Sequence, residues 1–257
     1  MNLFLRTTAI MLFMLTRTPA FAALPMAPGS DDKLSPSHNE VCAKLFKHNL
    51  SGLYGIPSTD VTPLQQHSDF DTLYSKSHQG QYELEDICNS TALLTQTNAY
   101  FAGIKSSQRA QEKIKHELNG KVERITDIAR ATIVADDVES LMEVYEALDR
   151  ETDIVKVKNR FKNPAASGYR DLNLLVKLPK TNIIAEVQLH LKAIADVKNG
   201  PEHELYEVIQ HIERNAAYEQ RELTQLEVTK ISKMRSQSLQ MYQDAWQPYI
   251  TTHLKAA

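Results

Sequence analysis

The spacing of apolar residues divides the chain into a helical beginning, a mixed centre and a helical end. Residues 55–80 mix proline, serine, histidine and aspartate, which predicts loops with short helices. Apolar side chains then recur at helical spacing over 84–101. A β-branched apolar run within 123–134 predicts a strand. After the Gly-Pro pair at 200–201 helical spacing returns and continues to the end of the chain, as one long helix or as two in tandem.

The centre of the chain alternates strand and helix patterns. Two aspartates at 136–137 follow the first predicted strand as capping residues of an amphipathic helix. Alternating residues at 155–158 predict a second strand, and residues 172–178 and 183–189 predict a third and a fourth. This order predicts an α+β fold: a mixed sheet of about four to five strands flanked by helices, with N-terminal helices and a long C-terminal helical segment.

The first 22 residues have the pattern of a secretory signal peptide. Arg6 supplies a positive charge, residues 9–15 are apolar, and residues 20–22 fit a small-x-small cleavage site. The apolar run is too short to span a membrane, so we expect an exported chain, periplasmic or secreted, with no membrane segment. An uncleaved amphipathic leader is the alternative. Residues 23–38 are expected to form a flexible leader.

Charge and cysteine content add two constraints. The net charge is -3, so no overall positive field points to nucleic acid, and a nucleotide site has to be made locally. Cys42 and Cys88 are the two cysteines of the chain. An exported protein can join them in one disulfide; two buried free thiols are the alternative.

The fourth predicted strand places three polar side chains on one face. Because side chains alternate across a strand, Glu186, Gln188 and His190 point the same way, while the apolar residues between them pack inward. One face therefore carries a carboxylate, an amide and an imidazole. Plain polar alternation of a solvent-facing strand is the alternative.

Asp127 is an acidic residue within the first predicted strand. If this strand neighbours the fourth, Asp127 and Glu186 converge, and two neighbouring carboxylates can hold Mg²⁺, which also takes substrate phosphates. Alternatively, Asp127 pairs with Arg130 or another basic residue.

Basic residues occur at two further places. Lys105, Arg109 and Lys113 are spaced four apart and would form one stripe on a helix, able to hold a triphosphate or simply solvated. Lys158 and Arg160 lead into a Gly-Tyr pair at 168–169. An aromatic ring beside a glycine at a strand entrance can stack on a nucleobase, or it can cover the sheet edge.

Taken in order, these segments resemble the synthetase domain of the RelA/SpoT family. The resemblance covers residues 102–215, behind an N-terminal helical region at 39–101 and ahead of a C-terminal helix at 216–257. It is carried by four segments: Lys105 to Lys113, Asp127-Ile128, Lys158 through Gly168-Tyr169, and Glu186-Val187-Gln188.

The resemblance implies a nucleotidyltransferase-like fold that transfers pyrophosphate from ATP to the 3′-hydroxyl of an acceptor nucleotide. It implies that Asp127 and Glu186 are the catalytic residues: Asp127 would hold Mg²⁺, and Glu186 would contact the metal or act on the 3′-hydroxyl as general base. It also implies that Tyr169 stacks on the acceptor base. Basic side chains would hold the ATP phosphates: Lys105, Arg109, Lys113 and Arg130. Around the acceptor, Lys158 and Arg160 would face the phosphates, and Gln188 and His190 would support the site.

The chain departs from the family pattern at several basic positions. Arg130 stands where the family commonly has glycine, Thr132 where it has arginine, and His190 where arginine is common. This favours a divergent branch whose acceptor is GDP, GTP, an adenine nucleotide or a tRNA end. An exported enzyme of this kind would be a toxin or effector. A catalytically degenerate module that binds a nucleotide or a protein is the alternative.

Overall fold

A computed structural model of the protein describes residues 48–251. The predicted signal peptide, the flexible leader and Cys42 lie outside the described residues, so export and the disulfide stay predictions. Cys88 is buried, and burial raises the pKa of its thiol to about 12. The α-helices of the described part are α1 (Leu50–Gly55), α2 (Phe70–Leu94), α3 (Ser107–His116), α4 (Val138–Glu151), α5 (Lys192–Asn199), α6 (Pro201–Tyr218) and α7 (Gln225–Thr251). Its strands are β1 (Asn98–Tyr100), β2 (Arg130–Ala135), β3 (Asp153–Asn159), β4 (Leu172–Lys177) and β5 (Ile184–Leu191).

The five strands form one mixed sheet in the order β1-β2-β5-β4-β3. Strands β2 and β5 run parallel, and every other neighbouring pair is antiparallel. The predicted α+β class and strand number are therefore confirmed. The first and fourth predicted strands are neighbours, with Arg130 beside Glu186 and Thr132 beside Gln188.

The two faces of the sheet differ in chemistry. The apolar residues of β5, including Val187 and Leu189, are fully buried in the core, on the side where α2 and α4 pack. Burial of each such aliphatic side chain stabilises the fold by about 1.5–3 kcal/mol. Helix α2 approaches very closely at Gly80, where a Cβ would lie 3.0 Å from the Cβ of Ile183. The other face carries the polar residues and remains partly open.

Helix α2 begins much earlier than the sequence pattern predicts. Asp69 caps it by accepting a hydrogen bond from the backbone N–H of Thr72 at 2.8 Å, and the helix then continues unbroken to Leu94. The predicted loop over 55–80 is thus wrong in its second half. The predicted helix over 84–101 also ends early, because the edge strand β1 occupies Asn98–Tyr100.

Strand β2 begins later than predicted. Residues Val122–Arg124 form a single 3-10 turn, and the strand starts only at Arg130. Asp127 therefore lies in the segment before the strand, a correction to its predicted place inside it. The buried side chains of Ile125 and Ile128 explain the strand-like pattern, since both pack in the core from irregular backbone.

The C-terminal segment consists of two helices in tandem, α6 and α7. Tyr242 and Trp246 of α7 pack into the core, with exposed fractions of 1% and 5%. The guanidinium of Arg170 stacks over the Trp246 ring, 4.9 Å from its centroid. Within the described residues no helix is both long enough and apolar enough to cross a membrane.

Candidate functional site

A cleft of about 830 Å³ opens on the polar face of the sheet. Its floor comes from β2 and β5, which present alternate side chains to the same side. Helix α5 and edge strand β1 add further lining residues. The predicted site residues found in this lining are Arg130, Glu186, Gln188 and His190.

Amide side chains hold the carboxylate of Glu186. Its Oε1 accepts a hydrogen bond from Asn173 Nδ2 at 2.8 Å, and its Oε2 accepts one from Gln188 Nε2 at 3.4 Å. The Gln188 Oε1 in turn accepts from Lys198 Nζ at 3.1 Å. Both oxygens thus accept hydrogen bonds from neutral amide groups, which orient the carboxylate without pairing it with a cation.

Lys198 is a cleft residue that the sequence pattern does not reveal. It lies near the end of α5, a helix absent from the sequence-based prediction, and it is half-buried. Burial lowers the pKa of its ammonium, while the charges of Asp171 and Glu186 act in the opposite direction. Only the packing of α5 beside β5 brings this side chain to Gln188.

Arg130 is fixed at the start of β2 by a side chain of α2. The Oε1 of Gln81 accepts from the Arg130 backbone N–H at 2.9 Å, and its Nε2 donates to the Arg130 carbonyl at 3.2 Å. Among the described residues, the buried Nε of Arg130 has no hydrogen-bond partner. This guanidinium faces the cleft with its charge uncompensated by any ion pair in the described part of the chain.

His190 belongs to a buried network at the far end of β5. It is 1% exposed, and burial together with the charges of Lys198 and Arg160 lowers its pKa to about 3, so it is neutral near pH 7. The Tyr169 hydroxyl donates to Asp171 Oδ2 at 2.9 Å and lies 2.6 Å from His190 Nε2. Since the tyrosine proton goes to Asp171, the imidazole carries its proton on Nε2.

Asp171 and Arg160 complete this network. Burial raises the pKa of the Asp171 carboxyl, and the charge of Arg160, which donates to Asp171 Oδ1, opposes that rise. The predicted acceptor-phosphate residue Arg160 is therefore already ion-paired. Its companion Lys158 is exposed on β3, with its Cα opposite Asn173.

The Tyr169 ring lies beneath α7 and is not part of the cleft lining. Its neighbours are Tyr242, edge-on at 5.6 Å between ring centroids, and the guanidinium of Arg160, 5.6 Å from the ring centroid. Gly168 allows α7 this close, since a Cβ there would lie 3.0 Å from Leu239 Cδ1. An exposed tyrosine in the cleft itself is Tyr100 on β1, which the sequence pattern did not single out.

Asp127 forms a separate charged cluster outside the cleft lining. Its Oδ2 binds Lys113 Nζ at 2.7 Å and Lys105 Nζ at 3.0 Å. Burial alone would raise the pKa of Asp127, but the hydrogen bonds and charges of the two lysines outweigh it and hold the pKa below its ordinary value. The alternative of pairing with a basic residue is thus observed, with lysines rather than Arg130.

The predicted basic stripe divides at the start of α3. Ser106 caps the helix, so Lys105 precedes it while Arg109 and Lys113 lie on it. Lys105 and Lys113 converge on Asp127, and the backbone N–H of Lys105 donates to the Ile128 carbonyl at 2.9 Å. Arg109 is exposed and takes no part in this cluster.

The mixed sheet, with helices on one face and a polar cleft on the other, matches the nucleotidyltransferase-like fold. Residues 103–207 match the family model described as the region found in RelA / SpoT proteins. This region of the chain is therefore similar to the RelA/SpoT domain. Comparison with curated proteins gives no match.

Three solved structures show the extent of the similarity. The chain resembles small alarmone synthetase 2 from Bacillus subtilis with a TM-score of 0.51 and 18% identity, over 70% of this chain and 93% of that one. For small alarmone synthetase 1 from Bacillus subtilis the TM-score is 0.47 and the identity 16%, over 73% of this chain and 97% of that one. For a chain from the complex between the Type VI effector Tas1 and its immunity protein the TM-score is 0.49 and the identity 21%, over 70% of this chain and 96% of that one. The first of these similarities shows a common fold.

Proposed function

We propose that this protein is a Mg²⁺-dependent pyrophosphokinase that transfers the β,γ-pyrophosphoryl group of ATP to the 3′-hydroxyl of an acceptor nucleotide. The observation that carries the proposal is the Glu186 carboxylate in the cleft of a RelA/SpoT-like domain, oriented by amides and flanked by uncompensated cations. A base beside a phosphate-binding surface is what phosphoryl-type transfer needs from a protein.

The reaction assigns a clear task to Glu186. The acceptor 3′-oxygen forms a bond to the β-phosphorus of ATP, the bond from that phosphorus to the α–β bridging oxygen breaks, and AMP leaves. Glu186 takes the proton of the attacking hydroxyl. Asn173 and Gln188 hold its carboxylate in place through the step, and Arg130 offsets the negative charge of the phosphates.

The carboxylates of this part of the chain suit Mg²⁺, which prefers oxygen ligands. Glu186 accepts one amide hydrogen bond on each oxygen, which leaves lone pairs for a metal. Asp127 Oδ1 is buried and has no hydrogen-bond partner among the described residues. These two residues would hold the ion, which when bound would neutralise phosphate charge. Asp127 lies outside the cleft lining and is paired with two lysines, so it would have to exchange them for the metal.

The other predicted residues take their roles as part of the same proposal. Lys105, Arg109 and Lys113 would add positive charge for the ATP phosphates. Lys158 would face the acceptor phosphates. The Tyr169 hydroxyl is already hydrogen-bonded to Asp171 and His190, and Arg160 is paired with Asp171. Stacking of Tyr169 on an acceptor base therefore requires α7 to move from its ring.

The acceptor and the place of action follow from the same reasoning. GDP, GTP, an adenine nucleotide and a tRNA end all offer the required ribose hydroxyl. ATP is scarce outside cells, so an exported enzyme of this kind would act as a toxin or effector inside a target cell that supplies ATP.

The test is incubation of the full chain with Mg²⁺, ATP labelled on its γ-phosphate, and each of GDP, GTP, ADP, AMP and bulk tRNA. Glu186→Gln is the test variant, and Glu151→Gln, an exposed carboxylate at the end of α4, is the matched control. We expect label in one acceptor with wild type and Glu151→Gln, and at least a 100-fold lower rate with Glu186→Gln, as for loss of a general base. Omission of Mg²⁺ should also abolish labelling.

A degenerate binding module is the second candidate. It is favoured by Thr132, which places no cation on β2 beside Gln188, and by the ion-paired state of Lys105, Lys113 and Arg160. If the protein binds ATP but labels no acceptor, the binding module is favoured over the pyrophosphokinase.

A further inference from the structure

Within the described part of the chain, two cations of the cleft form no ion pair. Among the described residues, the ammonium of Lys198 makes its one hydrogen bond to an amide oxygen, Gln188 Oε1, and not to a carboxylate. The guanidinium of Arg130 forms no ion pair there, and its Nε is buried without a hydrogen-bond partner. Buried donors without partners are costly, so their retention in a cleft indicates that a ligand completes them.

Both cations lie at the same part of the floor. Arg130 is the strand neighbour of Glu186, and Thr132 is the neighbour of Gln188, to which Lys198 is bonded. Lys198 is within electrostatic range of Glu186 and of Arg130. The three charged groups sum to one net positive charge beside the carboxylate that the proposed reaction uses as base.

We propose that Lys198 is a phosphate-binding residue of this cleft, acting with Arg130 on the polyphosphate of the donor nucleotide. The assignment rests on the proposed function for the identity of the nucleotide. It does not rest on turnover, because a polyphosphate would bind these cations whether or not transfer follows. Partial burial strengthens the interaction, since charges attract more strongly where water is excluded.

Lys192, on the same helix as Lys198, is a cleft lysine whose charge is already paired. It also lines the cleft, but it is exposed and its Nζ is paired with Asp196 Oδ2 at 2.8 Å. Lys198 forms no such ion pair among the described residues, and the carboxylate four positions after it, Glu202, accepts from the Tyr242 hydroxyl instead. The comparison makes Lys192→Met the matched control for Lys198→Met.

The experiment is calorimetric titration of the full chain with ATP, inorganic tripolyphosphate and adenosine. Lys198→Met should lower the affinity for ATP and for tripolyphosphate by about 10- to 100-fold, which is the effect of losing one charge-assisted hydrogen bond. The affinity for adenosine should stay unchanged. The affinities of Lys192→Met for all three ligands should stay within about 3-fold of wild type, because exposed ion pairs contribute little free energy. Lys198→Arg should retain most of the affinity.

Thr132→Arg in the Lys198→Met background separates binding from positioning. An arginine at 132 places a cation beside Gln188 from the strand side, so it should restore at least part of the tripolyphosphate affinity. If Lys198 only orients Gln188, the arginine restores nothing and Lys198→Met weakens adenosine and ATP alike, which overturns the assignment.

Failure of this inference is distinguishable from failure of the proposed function. Wild-type affinity for tripolyphosphate in a folded Lys198→Met variant overturns the inference even if transfer is observed. If Lys198→Met loses affinity for tripolyphosphate and the wild-type protein transfers no label, the inference is supported and the proposed pyrophosphokinase activity is rejected. If Lys198→Met does not fold, Lys198→Gln, which retains an amide donor toward Gln188, is titrated in its place and judged by the same affinities.

Discussion

The two carboxylates of the predicted metal pair, Asp127 and Glu186, have opposite surroundings. Two ammonium groups bind Asp127 at 2.7 and 3.0 Å, so its charge is compensated within the protein. Among the described residues, Glu186 accepts hydrogen bonds from two amides and forms no ion pair. The Asp127 cluster is therefore internally compensated, whereas the Glu186 carboxylate is open to a ligand.

A similar difference separates the cations of the two regions. Lys105 and Lys113 would have to leave Asp127 in order to bind phosphate. Among the described residues, Arg130 and Lys198 have no ion pair that would have to open. A ligand therefore meets a lower energetic cost in the cleft, because no partly buried ion pair has to open.

The largest expected effect on stability is that of Asp127→Asn. This change leaves two lysines, with 14% and 27% side-chain exposure, close together without their anion. The free energy of unfolding should fall by about 3 kcal/mol, as when one partner of a mostly buried ion pair is removed. Urea denaturation measures it. Glu186→Gln should cost less than about 1 kcal/mol in the same assay; equal losses would remove the distinction between the two regions.

The next effect concerns the cover over Tyr169. Gly168 has φ of +84°, and a Cβ there meets Leu239 and Tyr242 of α7 at 3.0 to 3.3 Å. Gly168→Ala should destabilise the fold by about 2 kcal/mol through backbone strain and contact with α7. Gly103→Ala is the control, since φ is +66° but nothing lies within 4 Å of its Cβ. If the two variants melt alike, α7 does not press on this turn.

The smallest effect, expressed per pH unit, is a pH dependence from His190. Its folded pKa of about 3 lies below the ordinary value near 6.5, so the unfolded chain takes up the proton first as pH falls. The free energy of unfolding should therefore decrease from pH 6.5 downward, by at most about 1.4 kcal/mol per pH unit from this residue. His190→Gln should show a shallower slope between pH 6.5 and 4.5. Unchanged slopes would mean that the imidazole is not held neutral.

Strand periodicity predicted the central part of the site. Alternation along β5 placed Glu186, Gln188 and His190 on one face, and all three line the cleft. Their different burial could not be predicted, because it depends on which elements pack over each end of the strand. His190 is 1% exposed, although its spacing is the same as that of its partly exposed neighbours.

Helix α2 shows why its first half could not be predicted. Its buried side includes polar residues satisfied by distant partners, which interrupts the apolar stripe. Glu83 accepts hydrogen bonds from the backbone N–H groups of Lys180 and Thr181, and Gln81 bonds the backbone of Arg130. These partners are 97, 98 and 49 positions away in the sequence, so no local pattern reveals them.

Lys198 could not be predicted for a related reason. A single lysine at the end of a short helix has no distinctive spacing, and its role depends on the angle at which α5 leaves β5. Asp127 and its lysines were singled out by the sequence, but their mutual compensation depends on how the start of α3 reaches the segment before β2.

The most direct test of the central claim is the single-turnover rate of label transfer for Glu186→Gln, measured with saturating ATP and acceptor. We expect a rate at least about 100-fold below wild type, in a variant whose free energy of unfolding lies within about 1 kcal/mol of wild type. Transfer at the wild-type rate by a folded Glu186→Gln variant would contradict it, and would place the base of the reaction elsewhere in the molecule.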